Sequence, residues 1–388
     1  MAGNPMNHNL PLIRTLTSLR FFAALMVFFS HIHDVVIFNH HRFFDFIWKN
    51  VCYEGYIGVT FFFILSGFIL TYNYNHLINN KQISTLKFLS LRAARIYPTH
   101  LLCFFISLLP YFFLYRSILA GIFNLFLLQS FIPIVSVYFS FNAPSWSISN
   151  EAFFYLIFCS LLLINYKNIL KLWTLNIMLV IGFLFLFSNK NDIIQHWIFY
   201  INPFMRILDF ITGIVLAKIF FRVNHIIKNI NLLKILEPIS ILLLAIFVFI
   251  AVKYNVNQSL RYDIYYIIPL GLIIFIFSFE EGLISKILAN KICVFLGEIS
   301  FAFYMFHYLI RNGLAFLQAN FKIFLPTTDY GKAGLVLLIL LTSLIVSSLS
   351  FIFYERPLNR FLRKRFINRD SYKETQKLEV NNLYNYEN

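Results

Sequence analysis

The chain has 388 residues, of which 59% are hydrophobic and 19% aromatic, with only 13% charged and a formal net charge of +15. So apolar a composition excludes an ordinary soluble domain and indicates a polytopic membrane protein. The basic residues lie between and after hydrophobic runs, a pattern that fits cytoplasmic loops of a bilayer protein and argues against a nucleic-acid partner.

The first apolar run, Thr15 to Phe38, carries Arg20 and His31. No cleavable signal pattern precedes it, so it is expected to stay as a helix. Eleven residues at 1.5 Å and 100° each put both side chains on nearly one helix face, about 16 Å apart along the axis. Charges at bilayer depth cost about 2.5 to 3.5 kcal/mol each on insertion scales, which points to a functional interior face. The alternative is an arginine that snorkels to the headgroups and a histidine that packs.

A polar loop follows with His40, His41, Arg42, Asp45 and Lys49, read as solvated rather than metal-binding. In the second span, Gly55 to Tyr74, Gly55, Gly58 and the Ser66–Gly67 pair offer small surfaces for close helix approach. The basic stretch from Asn79 to Pro98 includes Arg92 and Arg95, an i, i+3 pair at the entrance to a third span that runs on to Tyr115. Two guanidinium forks on one face suit an anionic, phosphate-bearing ligand, and a plain positive-inside anchor is the other reading.

The stretch Ile118 to Val135 is apolar but short and is expected to be re-entrant or interfacial. Seven further spans follow, at Glu151–Tyr166, Leu172–Ser188, Trp197–Phe221, Pro238–Val252, Ile264–Phe279, Val294–Leu317 and Ala333–Tyr354. Ten crossings gather Lys81, Lys87, Arg92, Arg95, Lys167, Lys171, Arg222, Lys228, Lys234, Lys286, Lys291 and the basic tail from Arg356 on the cytoplasmic side. An eleventh crossing at Ile118 to Val135 would invert every later loop. The expectation is therefore an all-α, polytopic transmembrane helical bundle of about ten spans with both termini cytoplasmic. Residues 1–14 form the N-terminal segment, 15–357 the membrane domain, and 358–388 a basic and then polar tail, disordered after Phe366. Cys52, Cys103, Cys159 and Cys293 lack CxxC spacing and read as packing residues, and no metal site is expected.

Three polar sets remain. In PSWSISNEAFFYL, Trp146, Ser147, Ser149 and Glu151 stand where an outer loop enters a helix. Ser147 or Ser149 serves as a helix cap with Glu151 in the first turn, or Glu151 is a buried carboxylate that orients an imidazole or a substrate hydroxyl. Arg206 and Asp209, at i, i+3, read as a structural salt bridge. Ser300, Tyr304 and His307 follow an i, i+4, i+7 face that is polar inside an apolar span, and so line a cavity or bundle interior.

In order, the segments LTSLRFFAALMVFFSHI, GYIGVTFFFILSGFIL, LRAARIYP, WSISNEAFFYL, RILDFITG, GEISFAFYMFH and YERP resemble the signature segments of the acyltransferase-3 family of integral-membrane O-acyltransferases. The resemblance spans Leu16 to Pro357 and implies transfer of an acyl group, usually acetyl from acetyl-CoA, to a hydroxyl of a cell-surface glycan. Arg20 and His31 match the family's Arg-x10-His element, Arg92 and Arg95 its Arg-x-x-Arg element, and Trp146, Ser147, Ser149 and Glu151 its Trp-Ser-x-Ser-x-Glu segment. Asn150, Asp209 and Thr60 depart from the usual residues; Thr60 stands where an acidic residue is common, and a soluble esterase-like domain that some members append is absent from this sequence.

On this reading His31, Glu151 and Arg20 are the catalytic candidates. Arg92, Arg95 and Arg20 bind the acyl-CoA donor, and Trp146, Ser147, Ser149, Ser300, Tyr304 and His307 contact the acceptor. The expected partners are acyl-CoA, a glycan or glycolipid such as O-antigen, lipopolysaccharide or exopolysaccharide, and membrane lipid, in a bacterial inner membrane. His31 acts as general base or acyl carrier, oriented by Glu151. A glycan or lipid transporter or flippase is the rival reading, weakened by the lack of an internal repeat. A membrane partner or sensor is a second rival, supported only by the tail.

Overall fold

The computed structural model describes residues 11–32, 45–109, 117–187, 189–226, 230–321, 326 and 328–366, and among them there are helices and turns but no strand. Eight segments are long and apolar enough to cross a bilayer. Two further helices, Thr85–Ile106 and Pro203–Val223, are 22 and 21 residues long and carry charges within them. These ten segments follow the order of the predicted spans, and the chain is an integral membrane protein built as an all-α helical bundle.

In chain order the principal helices are α1 (Arg14–Ile32), α2 (Ile57–Asn79), α3 (Thr85–Ile106), the short α4 (Ile118–Leu125), α5 (Ser145–Leu163) and α6 (Tyr166–Phe187). They continue with α7 (Pro203–Val223), α8 (Ile230–Lys253), α9 (Ile267–Phe277), α10 (Lys291–Phe321), α11 (Asp329–Ser350) and the basic α12 (Arg356–Phe366). Local signals set several starts. Ser84 caps α3 by accepting from the Lys87 amide, Asn202 caps α7 ahead of Pro203, and Thr328 caps α11. The Ser84 cap starts α3 earlier than the predicted third span, so Arg92, Arg95 and Pro98 all lie within the helix.

At the centre α2 packs on α7 and α1 on α10. A Cβ added at Gly67 would lie 2.1 Å from the Phe210 carbonyl oxygen, and one at Gly213 2.0 Å from that of Ile64. Gly55 and Gly58 bring α1 equally close, with their Cβ positions 2.0 and 2.3 Å from the carbonyl oxygens of Met26 and Ala23. The expected small surfaces of the second span are thus backbone-to-backbone contacts. Phe63, Phe154 and Phe210 fill the space between α2, α5 and α7, with ring centroids 5.1 and 4.9 Å apart. By contrast α6, α8 and α11 leave most of their apolar length uncovered, as lipid-facing helices do.

The stretch Ile118 to Val135 does not form a crossing helix. Eight residues of α4 rise only about 12 Å, well short of a hydrocarbon core of roughly 30 Å. The chain then runs irregularly to α5, held by buried amide donors: Asn124 Nδ2 donates to the Ser140 carbonyl at 2.9 Å, and Gln129 Nε2 to that of Ser145 at 3.0 Å.

Asp45 and Lys49 form a solvent-facing i, i+4 ion pair at 2.9 Å, but on a helical segment and not in the expected loop, whereas His40, His41 and Arg42 lie outside the described residues. So do residues 33–38 of the first predicted span, the first ten residues, and the tail after Phe366. All four cysteines are free.

Candidate active site

Arg20 stands in the second turn of α1, Arg92 and Arg95 one turn apart on α3, Glu151 and Tyr155 one turn apart on α5, and Tyr304 in the middle of α10. All six line one cavity with about 840 Å³ of empty space, together with Ser147 and apolar residues of α2 such as Phe62 and Phe63. Arg20, Arg92, Arg95 and Glu151 are half-buried.

The three guanidinium groups differ in their partners. Arg95 is ion-paired with Glu355, whose other oxygen accepts from Thr99 Oγ1 at 3.0 Å. Glu355 is fully buried and closes a π-helical turn, Phe351–Glu355, between α11 and α12. Such wide turns change the register of a helix and are frequent at functional sites. Arg92 donates to the Tyr74 hydroxyl at 3.3 Å, lies over that ring at 5.4 Å, and keeps its buried Nε without a hydrogen-bond partner. Arg20 meets its neighbours Arg95, Glu151 and Glu355 through charge alone. Glu151 accepts from the Tyr155 hydroxyl at 2.5 Å and lies among Arg20, Arg92 and Arg95. With all five ionised, three cations face two carboxylates, leaving the cavity with an excess positive charge and spare donors on Arg20 and Arg92.

A second cluster occupies the other end of α1. His31 Nδ1 lies 2.8 Å from His307 Nε2, and the two rings are nearly parallel with centroids 5.1 Å apart. His307 is fully buried, with its Nδ1 3.1 Å from the Phe303 carbonyl oxygen. Neither imidazole lines the cavity. Tyr304 joins the two clusters: its hydroxyl is 2.8 Å from Ser147 Oγ, and its ring centroid is 6.0 Å from that of His307.

The structure corrects several sequence expectations. Glu151 does not orient His31, because it sits at the Arg20 level of α1, eleven residues from the imidazole, and His31 has His307 as its partner. Neither Ser147 nor Ser149 caps α5: the helix begins at Ser145 after Pro144, which leaves Glu151 in its second turn. Ser149 is fully buried and bonds the Leu127 carbonyl at 2.6 Å and Ser130 Oγ at 2.7 Å, so it anchors the irregular segment. Trp146 packs on Tyr200 at 4.8 Å, and Ser300 donates to the Gly297 carbonyl of its own helix at 2.7 Å; neither lines the cavity. Arg206 and Asp209 form the expected salt bridge at 2.8 Å, both fully buried. The sequence pattern does not single out Glu355, Tyr74 or Tyr155, although Tyr155 stands one turn from Glu151 and Glu355 is the acid inside YERP.

The fold is that of a helical membrane bundle with a basic cavity, lined by Arg20, Arg92 and Arg95, between its helices. The chain belongs to the acyltransferase-3 family, whose model, described as an acyltransferase domain, matches residues 13–355, and it is an integral-membrane acyltransferase. It is similar to the acyltransferase MdmB of Streptomyces mycarofaciens, 28% identical over 90% of this chain and 92% of that one. It is also similar to the peptidoglycan O-acetyltransferase OatA of Listeria monocytogenes, 26% identical over 79% of this chain, and spans about half of that protein's length. No solved structure matches.

Proposed function

We propose that this protein is an O-acyltransferase of a bacterial inner membrane that moves an acyl group, acetyl in the first instance, from acyl-CoA to a hydroxyl of a cell-surface glycan. The observation that carries the reading is the cavity in which Arg92 keeps a buried Nε without a partner, beside Arg20 and Glu151. A buried guanidinium Nε–H without a partner is costly, and a phosphate oxygen supplies what it lacks. Arg20 and Arg92 hold the donor's phosphates, while Arg95, already engaged by Glu355, shapes the wall. By the positive-inside rule the arginine end of α1 faces the cytoplasm, where CoA is found.

The acyl-pantetheine arm runs past Tyr304 towards the histidine pair. There His31 takes the proton of the acceptor hydroxyl as its oxygen attacks the thioester carbon. The carbon–sulfur bond breaks, the acyl group stays on the acceptor oxygen, and the departing thiolate receives the proton from His31 to leave as free CoA thiol.

The test is mass spectrometry of envelope polysaccharide from a deletion strain and from strains complemented with wild-type or His31→Ala protein. Loss of acyl groups with polymer export intact, restored only by wild type, is the expected result. Unchanged acylation in the deletion strain sinks the reading, and loss of the polymer itself favours a transporter.

A further inference from the structure

We propose that His307 is a positioning residue that fixes which ring nitrogen of His31 carries the lone pair. The inference rests on the reading of His31 as the base. It begins at the Phe303 carbonyl, 3.1 Å from His307 Nδ1. A carbonyl oxygen only accepts, so in a neutral ring the single N–H of His307 is on Nδ1 and its Nε2 is an acceptor. That Nε2 lies 2.8 Å from His31 Nδ1, which must then be the donor. The lone pair of His31 is thereby placed on Nε2, the nitrogen remote from His307.

The order of donors runs one way, from His31 Nδ1–H to His307 Nε2 and from His307 Nδ1–H to the backbone of α10. It is rigidly held. His307 is fully buried, its ring is nearly parallel to that of His31, and the Phe28 and Phe303 rings lie 6.1 Å from it on α1 and α10. A histidine without such a partner divides its population between two tautomers, and only one presents the basic nitrogen to the acceptor hydroxyl. The same role falls to a carboxylate or backbone carbonyl beside many catalytic histidines. Here a second imidazole fills it, and Glu151 is left to the donor end of the cavity.

The purified protein in lipid nanodiscs, assayed with acetyl-CoA and envelope polysaccharide isolated from the deletion strain, separates the outcomes. His307→Phe keeps the ring volume but has no acceptor, and is expected to lower kcat by 100-fold or more with the KM for acetyl-CoA within threefold of wild type. His307→Gln presents a carbonyl oxygen near the place of Nε2 and is expected to recover at least tenfold of that loss. Direct binding of acetyl-CoA to both variants, at wild-type affinity, shows that the bundle is intact. If His307→Phe turns over within threefold of wild type while His31→Ala is dead, the positioning role is overturned and the base assignment stands. If Gln is no better than Phe, the acceptor argument is overturned. Activity in His31→Ala overturns the base assignment, and this inference with it.

Discussion

Arg95 and Glu355, 260 positions apart in the sequence, form an ion pair that fastens the end of the last membrane helix to the Arg-x-x-Arg turn of α3. Thr99 Oγ1 donates to the second carboxylate oxygen, so the acid is held by two residues one turn apart. The basic α12 begins at the next residue and packs against α3. One contact therefore closes the cavity wall and sets where the basic tail leaves the bundle.

The two partners of that pair are unequally buried, Glu355 fully and the Arg95 side chain with 26% exposure. Removing Arg95 strands a buried carboxylate, whereas removing Glu355 leaves an arginine that still reaches the cavity. We expect Arg95→Gln to destabilise by about 3 kcal/mol and Glu355→Gln by roughly half as much. Thermal denaturation in detergent measures the order, and equal losses would refute the asymmetry.

On the proposed function Arg20 and Arg92 hold the donor's phosphates, and Arg92 keeps a buried Nε without a partner for them. A charge-assisted hydrogen bond is worth about 1.5 to 3 kcal/mol, so Arg92→Gln is expected to raise the KM for acyl-CoA roughly 10- to 100-fold. The effect should shrink for a donor truncated to acyl-pantetheine, which lacks the nucleotide phosphates. An equal effect on both donors would place Arg92 elsewhere in the reaction.

Much of the bundle and one of its two polar clusters can be read from the sequence, for identifiable reasons. Helix order, the non-crossing Ile118 stretch and the small-residue contacts of α2 follow from segment length, hydropathy and local residue size. The arginines and Glu151 stand out because charge inside an apolar run is rare. The pairings are less legible. Glu355 meets Arg95 across 260 residues, and a π turn decides its direction. The periodicity of its helix marks His307 as facing the interior, but its meeting with His31 joins two helices 276 residues apart, which no local periodicity encodes.

The α2–α7 contact yields a sharper contrast. Gly67→Leu or Gly213→Val would drive a side chain into a facing backbone, and either should abolish recovery of folded protein. A Cβ added at Gly182 or Gly334 would meet nothing within 4 Å. Alanine at those two sites is expected to be neutral or to stabilise by up to about 1 kcal/mol, since each lies inside a helix. Size-exclusion chromatography with a fluorescent fusion reads all four variants.

Acid sensitivity should arise partly at His196, on the short helix that precedes α7. Its ring packs against Tyr200 and Tyr262 at 5.3 Å each, and burial holds its pKa down at about 4 from an ordinary 6.5. The unfolded chain takes up this proton as pH falls below about 6.5, while the folded one resists until about 4. Its contribution is therefore present above pH 6.5 and lost progressively as pH falls towards 4. His196→Phe should show a smaller drop in Tm between pH 7 and 5 than wild type, on the order of a few degrees. An identical drop in both would remove His196 as a source.

Thr60 of α2 stands against the buried Arg206–Asp209 pair of α7. Its Oγ1 accepts from Arg206 Nη2 at 2.7 Å, and the same nitrogen lies 2.8 Å from Asp209 Oδ2. Asp263, fully buried with neither carboxylate oxygen hydrogen-bonded, adds a second acid in the field of Arg206. An acidic residue at position 60 would thus face an arginine that Asp209 of α7 already neutralises. Thr60→Asp alone brings a third carboxylate to one guanidinium and should destabilise. In an Asp209→Asn background the same change only moves the charge from α7 to α2, and its cost should fall by at least about 1 kcal/mol, the coupling expected of residues in one network. Arg206→Met should be the most damaging single change, about 3 to 5 kcal/mol, because it leaves two buried acids without a cation. A double-mutant cycle on unfolding temperature measures the coupling, and additive effects would show that Thr60 and Asp209 do not share Arg206.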